Sequence, residues 1–159
     1  MTVPTPAQLR EAMALVPTGV TVVSAVGAQG PAGATANAVT SLSLEPPLML
    51  ACFDRGSRTL GFARDAGRFG ISVLRADHAE QARMFASKSP HTEKWRDVPW
   101  TERAGVPILD EALVWTACDL AEIHDGGDHV IAIGRVLDLG IDGGDPLVFH
   151  RGEYRSLND

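Results

Sequence analysis

The feature that most constrains this chain is its punctuation. Short runs rich in β-branched and apolar residues are each stopped by glycine or proline before they can extend into long helices. Gly19–Val26 is one such run, and Gly27–Gly33 supplies a turn after it. Thr35–Leu44 reads as a second strand, broken by Pro46 and Pro47. Leu48–Phe53, Phe69–Leu74, Leu113–Ile123, Val130–Leu139, Leu147–His150 and Tyr154–Leu157 follow as further strands, with Val114, Thr116, Cys118 and Leu120 on one side of theirs. Asp125-Gly126-Gly127-Asp128 is a hairpin connection, and Asp142-Gly143-Gly144-Asp145 is a second turn with different flanks. This spacing lacks the strand–helix alternation of a doubly wound sheet, so the expected fold is mainly β: an antiparallel barrel with a few appended helices.

Three helices are expected. Thr5-Pro6-Ala7-Gln8 has capping-box spacing, Leu9, Ala12, Met13 and Val16 then share a face, and Pro17 ends the run. Ser57 or Thr59 can cap a short helix reaching about Ala66. Asp77-His78-Ala79-Glu80 resembles a capping box for a helix through Ala82, Phe85 and Ala86. The polar stretch Lys88–Pro107 reads as a long loop.

Bulk properties bound the function. The 159 residues fit one domain spanning 1–159, long enough to bury a core without staples. A net charge of −6 argues against nucleic acid and against anionic membrane surfaces as main partners. No apolar run approaches the ~20 residues that span a bilayer, and Met1–Glu11 lacks a signal-peptide pattern, so the expected location is cytoplasmic. Cys52 and Cys118 form no CxxC pair and read as two buried free thiols. Among the histidines, His78, His91 and His124 read as surface residues, His150 as partly buried, and His129 as able to reach a cleft. No HExxH spacing occurs, and no metal site is expected. GxSxG, GxGxxG and GxxxxGK[ST] are all missing, which leaves no nucleophile elbow, Rossmann loop or P-loop.

Two segments carry candidate chemistry. If Thr35–Ser43 is one strand, Thr35, Asn37, Ser41 and Ser43 share a polar face, while Ala36 and Ala38 let a flat ring approach the backbone. The alternative is an ordinary solvated strand face. In Arg55-Gly56-Ser57-Arg58-Thr59, free amides at a helix start, hydroxyls and an arginine favour an anion; simple capping by Ser57 or Thr59 is the alternative.

Gly19–Ser24, Thr35–Pro47, Phe69–Leu74 and Gly127–Ile131, in that order, resemble the flavin reductase-like family, the short-chain reductase components of two-component flavin monooxygenases. The resemblance runs from about Leu9 to Tyr154. It implies a Greek-key split β-barrel that dimerises and binds FMN or FAD near the subunit interface, FMN being favoured for so short a chain. It implies that Thr35, Ala36, Asn37 and Ala38 line the isoalloxazine ring and that Ser41, Ser57, Arg58 and Thr59 hold the ribityl phosphate region. Phe85, Ala86 and Lys88 then approach the flavin from a helix end, His129 positions the nicotinamide of NADH or NADPH, and Tyr154 is a further candidate. Lys94-Trp95 stands where relatives often carry Lys-Phe. The implied activity is an NAD(P)H:flavin oxidoreductase delivering reduced flavin to a partner monooxygenase. The rivals are a non-enzymatic FMN-binding electron carrier and another split-barrel protein, a flavin-dependent oxidase or one that handles heme.

Overall fold

A computed structural model describes residues 3–157. Its strands are β1 (Thr18–Gly19), β2 (Thr21–Gly27), β3 (Gly30–Ala36), β4 (Val39–Leu44), β5 (Pro47–Asp54), β6 (Arg68–Val73), β7 (Trp100–Arg103), β8 (Val106–Leu109), β9 (Val114–Gly126), β10 (His129–Ile141), β11 (Val148–His150) and β12 (Glu153–Arg155). Its α-helices are α1 (Pro6–Met13), α2 (Arg58–Ala66), α3 (Ala79–Ala86) and α4 (His91–Lys94).

Seven strands form one antiparallel sheet in the order β3-β2-β6-β9-β10-β5-β4. Two short sheets, β1-β11-β12 and β7-β8, flank it. The edge strands β3 and β4 are consecutive in the chain, joined only by Asn37 and Ala38. Laid flat, seven strands would hold those edges ~29 Å apart, yet three Cα steps reach at most ~11 Å. The sheet must therefore curl until its edges approach. It does not close, because β3 and β4 are not paired with each other.

The curl gives the sheet two buried faces. Val23, Ala25, Ala51, Phe53, Phe69 and Ile71 meet inside it, and Leu60 and Ala63 of α2 pack into the same core. On the other side of β2, Val20 and Val22 pack with Leu74, Ala82, Phe85 and Trp95 beneath α3 and α4. This is why Thr21–Ala25 is buried without a break, where a one-sided strand would alternate. Gly33 holds the two layers together, since a Cβ there would stand 2.9 Å from both Phe85 and Trp95.

Local signals read from the sequence hold where they rest on short-range geometry. Thr5 and Gln8 form the capping box of α1, Ser57 caps α2 by accepting from Leu60 N–H, and Gly127-Asp128 turns β9 into β10. Four expectations are corrected. Thr35–Leu44 is two strands on opposite edges of the sheet, because the chain must leave one edge and join the other at Asn37-Ala38. The turn after β2 is only Ala28-Gln29, since Gly27 and Gly30 remain paired. Lys88–Pro107 contains α4, β7 and the first residues of β8, which runs on to Leu109, all held by packing that short-range signals do not advertise. Asp77 caps no helix; Ala76–His78 is a 3₁₀ turn and the Asp77 carboxylate pairs with Arg75 at 3.0 Å.

Candidate functional site

At the gap where the edges of the sheet meet, the Asn37-Ala38 link and the ends of β3 and β5 leave a pocket of about 190 Å³. Thr35, Ala36, Asn37 and Ala38 line it from one side, and Cys52, Ser57 and His129 from the other. Small residues dominate the first wall, which keeps backbone accessible to a flat ring. Thr35 itself is turned to the fold: its hydroxyl donates to Ala82 O at 2.6 Å and ties β3 to α3.

His129 reaches this pocket because the β9-β10 hairpin is fastened to the β5–α2 loop. Its Cα pairs in register with Asp54, and Arg55 donates to Gly127 O at 2.6 Å and to the Asp125 carboxylate at 2.9 Å. The imidazole Nδ1 lies 2.8 Å from the Asp128 carboxylate, which that hydrogen bond holds below the usual carboxylate range. One ring nitrogen is thereby engaged, and His129 lines the pocket.

Ala34, Asp54 and Ser57 belong both to this pocket and to a larger one of about 520 Å³ beside it. The second section is the cationic one. Ser57, Arg58 and Thr59 bring the start of α2, Ala86 and Lys88 come from the end of α3, and His91 and Lys94 come from α4. Asp54 Oδ1 accepts from Gly56 N–H at 2.7 Å and fixes the loop that aims α2 at the cleft. The first amides of α2 have no intrahelical acceptor by construction, so this end attracts an anion. Lys94 is only 5% exposed, its Nζ donates to Phe85 O at 2.9 Å, and burial lowers its pKa. Thr59 Oγ1 and both ring nitrogens of His91 are buried without a partner among the described residues.

Sequence reasoning thus brings together Thr35–Ala38, Ser57 and His129 in one section, and Ser57, Arg58, Thr59, Ala86 and Lys88 in the next. Tyr154 lines a third depression with Ala36, Asn37 and Ala86, stacked near Phe149 and under the Arg83 guanidinium. Phe85 is 1% exposed and belongs to the core, edge-on to Trp95, so it supports the site from behind. Trp95 is likewise buried and covers no cleft surface. Ser41 stands exposed on the edge strand β4 and lines none of these pockets.

Several lining residues were missed. Cys52, expected to be buried, is half-buried in the first pocket wall. His78, expected at the surface, is 7% exposed. His91 and Lys94 fell in the supposed loop; their three-residue spacing after Pro90, which puts them on one face of a helical turn, was the available signal. Among the described residues no group of His, Cys, Asp and Glu side chains is arranged to hold a metal ion, and no helix is long and apolar enough to cross a membrane.

The small-walled first pocket suits a planar heterocycle, and the adjoining section suits a phosphate. The orphaned Thr59 and His91 atoms, on residues that line the second section, are compatible with that pairing. Comparison with known proteins identifies the family. Residues 13–158 match the family described as flavin reductase like domain. An NADH-dependent flavin reductase of a Rhodococcus species is 40% identical over 96% of this chain and 87% of its own. The FMN reductase (NADH) RutF of Agrobacterium fabrum is 37% identical over 93% of this chain and 86% of its own. Among solved structures, BorF, the flavin reductase component of a bacterial two-component tryptophan halogenase, superposes with a TM-score of 0.89 at 39% identity, covering 98% of this chain and 99% of its own. The NADH:FAD oxidoreductase SgcE6 of Streptomyces globisporus gives 0.88 at 34% identity, covering 98% and 96%.

Proposed function

This chain belongs to the flavin reductase like domain family, and from that premise we propose that its cleft binds a flavin beside a nicotinamide nucleotide and works as an NADH-dependent flavin reductase. The observation that carries this reading is the continuity of the cleft: a ring-sized pocket with His129 at its edge opens through Ala34, Asp54 and Ser57 into a section built for a phosphate.

When bound, the flavin accepts a hydride from the nicotinamide and so supplies the redox chemistry. The residues of this chain supply position. Ala36 and Ala38 leave room against the backbone for one face of the ring, while the exposed Asn37 amide offers polar contacts at its edge. Ser57, Arg58, Thr59 and Lys88 neutralise and orient the phosphate end, and the buried Lys94 ammonium adds positive potential from behind. His129 orients the nicotinamide at the open side of the pocket, steadied by Asp128. Hydride transfer itself requires no proton from a residue of the cleft, so holding the reactants in contact is the main task.

Residues 1–159 act in this reading as one domain, a split barrel that pairs with a second copy. The support for a dimer is the apolar surface left uncovered: Leu9, Met13 and Val16 on or just after α1, which buries none of its residues, and Leu139 and Ile141 at the end of β10, all at least half exposed. The product, a reduced flavin, passes to a separate flavin-dependent monooxygenase, in keeping with the name of a relative, a flavin-dependent monooxygenase reductase subunit.

The test is loss of NADH absorbance on mixing purified protein with NADH and catalytic or excess FMN or FAD. Many turnovers dependent on added flavin are expected. Binding of flavin with no turnover beyond one equivalent would make the chain an electron carrier and overturn the reductase reading.

A further inference from the structure

A pocket of about 280 Å³ lies between the start of α3 and the β7-β8 hairpin and shares no lining residue with either section of the cleft. His78 walls it beside α3, Val98, Pro99 and Leu109 give it an apolar side, and Asp110 and Glu111 bring two carboxylates. It is more enclosed than either section of the cleft. The acidic side is held by backbone bonds. Asp110 N–H donates to Pro99 O at 3.0 Å, and Leu109 N–H donates to the buried Ser72 hydroxyl at 3.1 Å. Glu111 sits in the left-handed region at φ 58°, where a glycine would rest without strain, so its side chain is carried there at a conformational cost.

Neither carboxylate is neutralised by a cation: among the described residues Asp110 and Glu111 take part in no ion pair. Asp110 commits one oxygen to the Thr101 hydroxyl at 2.8 Å. His78 is the second sign of a ligand. Although it is 7% exposed, only its Nδ1 is engaged, by the Arg75 N–H at 3.5 Å. Its Nε2 stands 3.8 Å from the Asp77 carboxylate, beyond hydrogen-bond reach. Burial holds the ring below the ordinary imidazole value, against the pull of Asp77, so it is neutral at neutral pH and carries its proton on Nε2.

The pocket therefore offers one neutral donor and two anionic acceptors beside an apolar wall. It repels phosphates, which sets it apart from the cationic section of the cleft. Among the described residues no side chains are grouped to hold a metal ion. An organic cation satisfies all three walls: an ammonium between the carboxylates, an oxygen to accept from His78, and a short apolar body against Val98, Pro99 and Leu109. We propose that this pocket is a second ligand site, independent of the flavin cleft, that binds a small amine bearing a hydroxyl or carbonyl oxygen through Asp110, Glu111 and His78.

The probe is phenylethanolamine, a cation at neutral pH, titrated into the isotope-labelled full chain while backbone amide shifts are followed by NMR. Saturable shifts should cluster at His78, Leu109, Asp110 and Glu111, with a dissociation constant of about 1 mM or less. Phenethylamine, which lacks the hydroxyl, should bind severalfold more weakly, and phenylethanol, which lacks the ammonium, at least about tenfold more weakly. Glu111→Gln and Asp110→Asn should each weaken phenylethanolamine about tenfold, with the parent's melting temperature retained. Asn at this position keeps an oxygen for the Thr101 hydroxyl, so the hairpin is left in place. No saturation at tens of millimolar, equal affinity for phenylethanol, or parental affinity in both folded variants would overturn the proposal. So would shifts that cluster at Thr35–Ala38 and Ser57–Thr59, which would put the amine in the cleft. None of these outcomes bears on the flavin reading, because the two sites share no residue.

Discussion

His129 shows how much of a side chain's role is set by what holds it. Its imidazole is half exposed, yet the Arg55 clamp on Gly127 and Asp125 and the 2.8 Å contact to Asp128 restrict where it can point. His129→Ala should therefore raise the KM for NADH by roughly tenfold, about 1.4 kcal/mol, with a much smaller change in the flavin dissociation constant. Steady-state kinetics and a flavin titration read the two separately, and an unchanged KM removes the residue from that role. His78 and His91 are the opposite case, since burial first of all holds both below the ordinary value of 6.5. On acidification the unfolded chain takes up protons near 6.5 before the native state does, so stability is retained above that pH and lost as pH falls from there toward the lowered native values. Melting temperature followed from about pH 8 to about pH 5 should drop through this window, and His78→Gln with His91→Gln should flatten the slope. The same slope in the double variant would place the acid sensitivity elsewhere.

At the scale of the element, α2 does two jobs with one residue. Ser57 accepts from Leu60 N–H as the helix cap and faces the cationic section of the cleft. Ser57→Ala should cost about 1 kcal/mol of stability and weaken flavin binding as well. Ser57→Asp separates the roles, because a carboxylate caps the helix well but repels a phosphate. Its melting temperature should match or exceed the parent's while flavin affinity falls at least as far as in the alanine variant. Flavin affinity equal to the parent's in Ser57→Asp would mean that no anion sits at this helix end. The elements legible in the sequence were those with local punctuation, α1 by its capping box and the β9-β10 hairpin by Gly127. Those that were not, α4 and the β7-β8 hairpin, are short, and of them only β8 is apolar. They are fixed by Trp95 packing against Phe85 and by Val106 and Ile108 against Ala117, tertiary contacts that no capping or turn signal announces.

At the scale of the whole molecule, the uncovered apolar surface on α1 and β10 is the unresolved feature of an isolated chain. Ile141 is 74% exposed on the half of β10 that extends past its pairing with β5. If a second copy covers it, Ile141→Asp should convert a dimer into a monomer by sedimentation at micromolar concentration, and weaken flavin binding in step if the partner completes the site. A parent that sediments as a monomer would exclude the arrangement.

The sequence by itself determined the strand-rich class, the caps and tight turns, and which short segments carry small, hydroxylated and cationic residues, because each of these follows from local backbone preference and side-chain chemistry. It also carried the motifs of the family. The tertiary structure alone decided that Thr35–Leu44 is split between the two edges of a curled sheet, which is why Ser41 stands apart from Thr35–Ala38. It decided too that Phe85 turns into the core while Ala86 beside it lines the cleft. It brought His91 and Lys94 to the cationic section of the cleft, and His129 to within reach of residues about 90 positions earlier in the chain. Those outcomes depend on how the sheet curls and on which face of each helix it buries, and both are fixed by long-range packing of apolar surface, which no local stretch of sequence specifies.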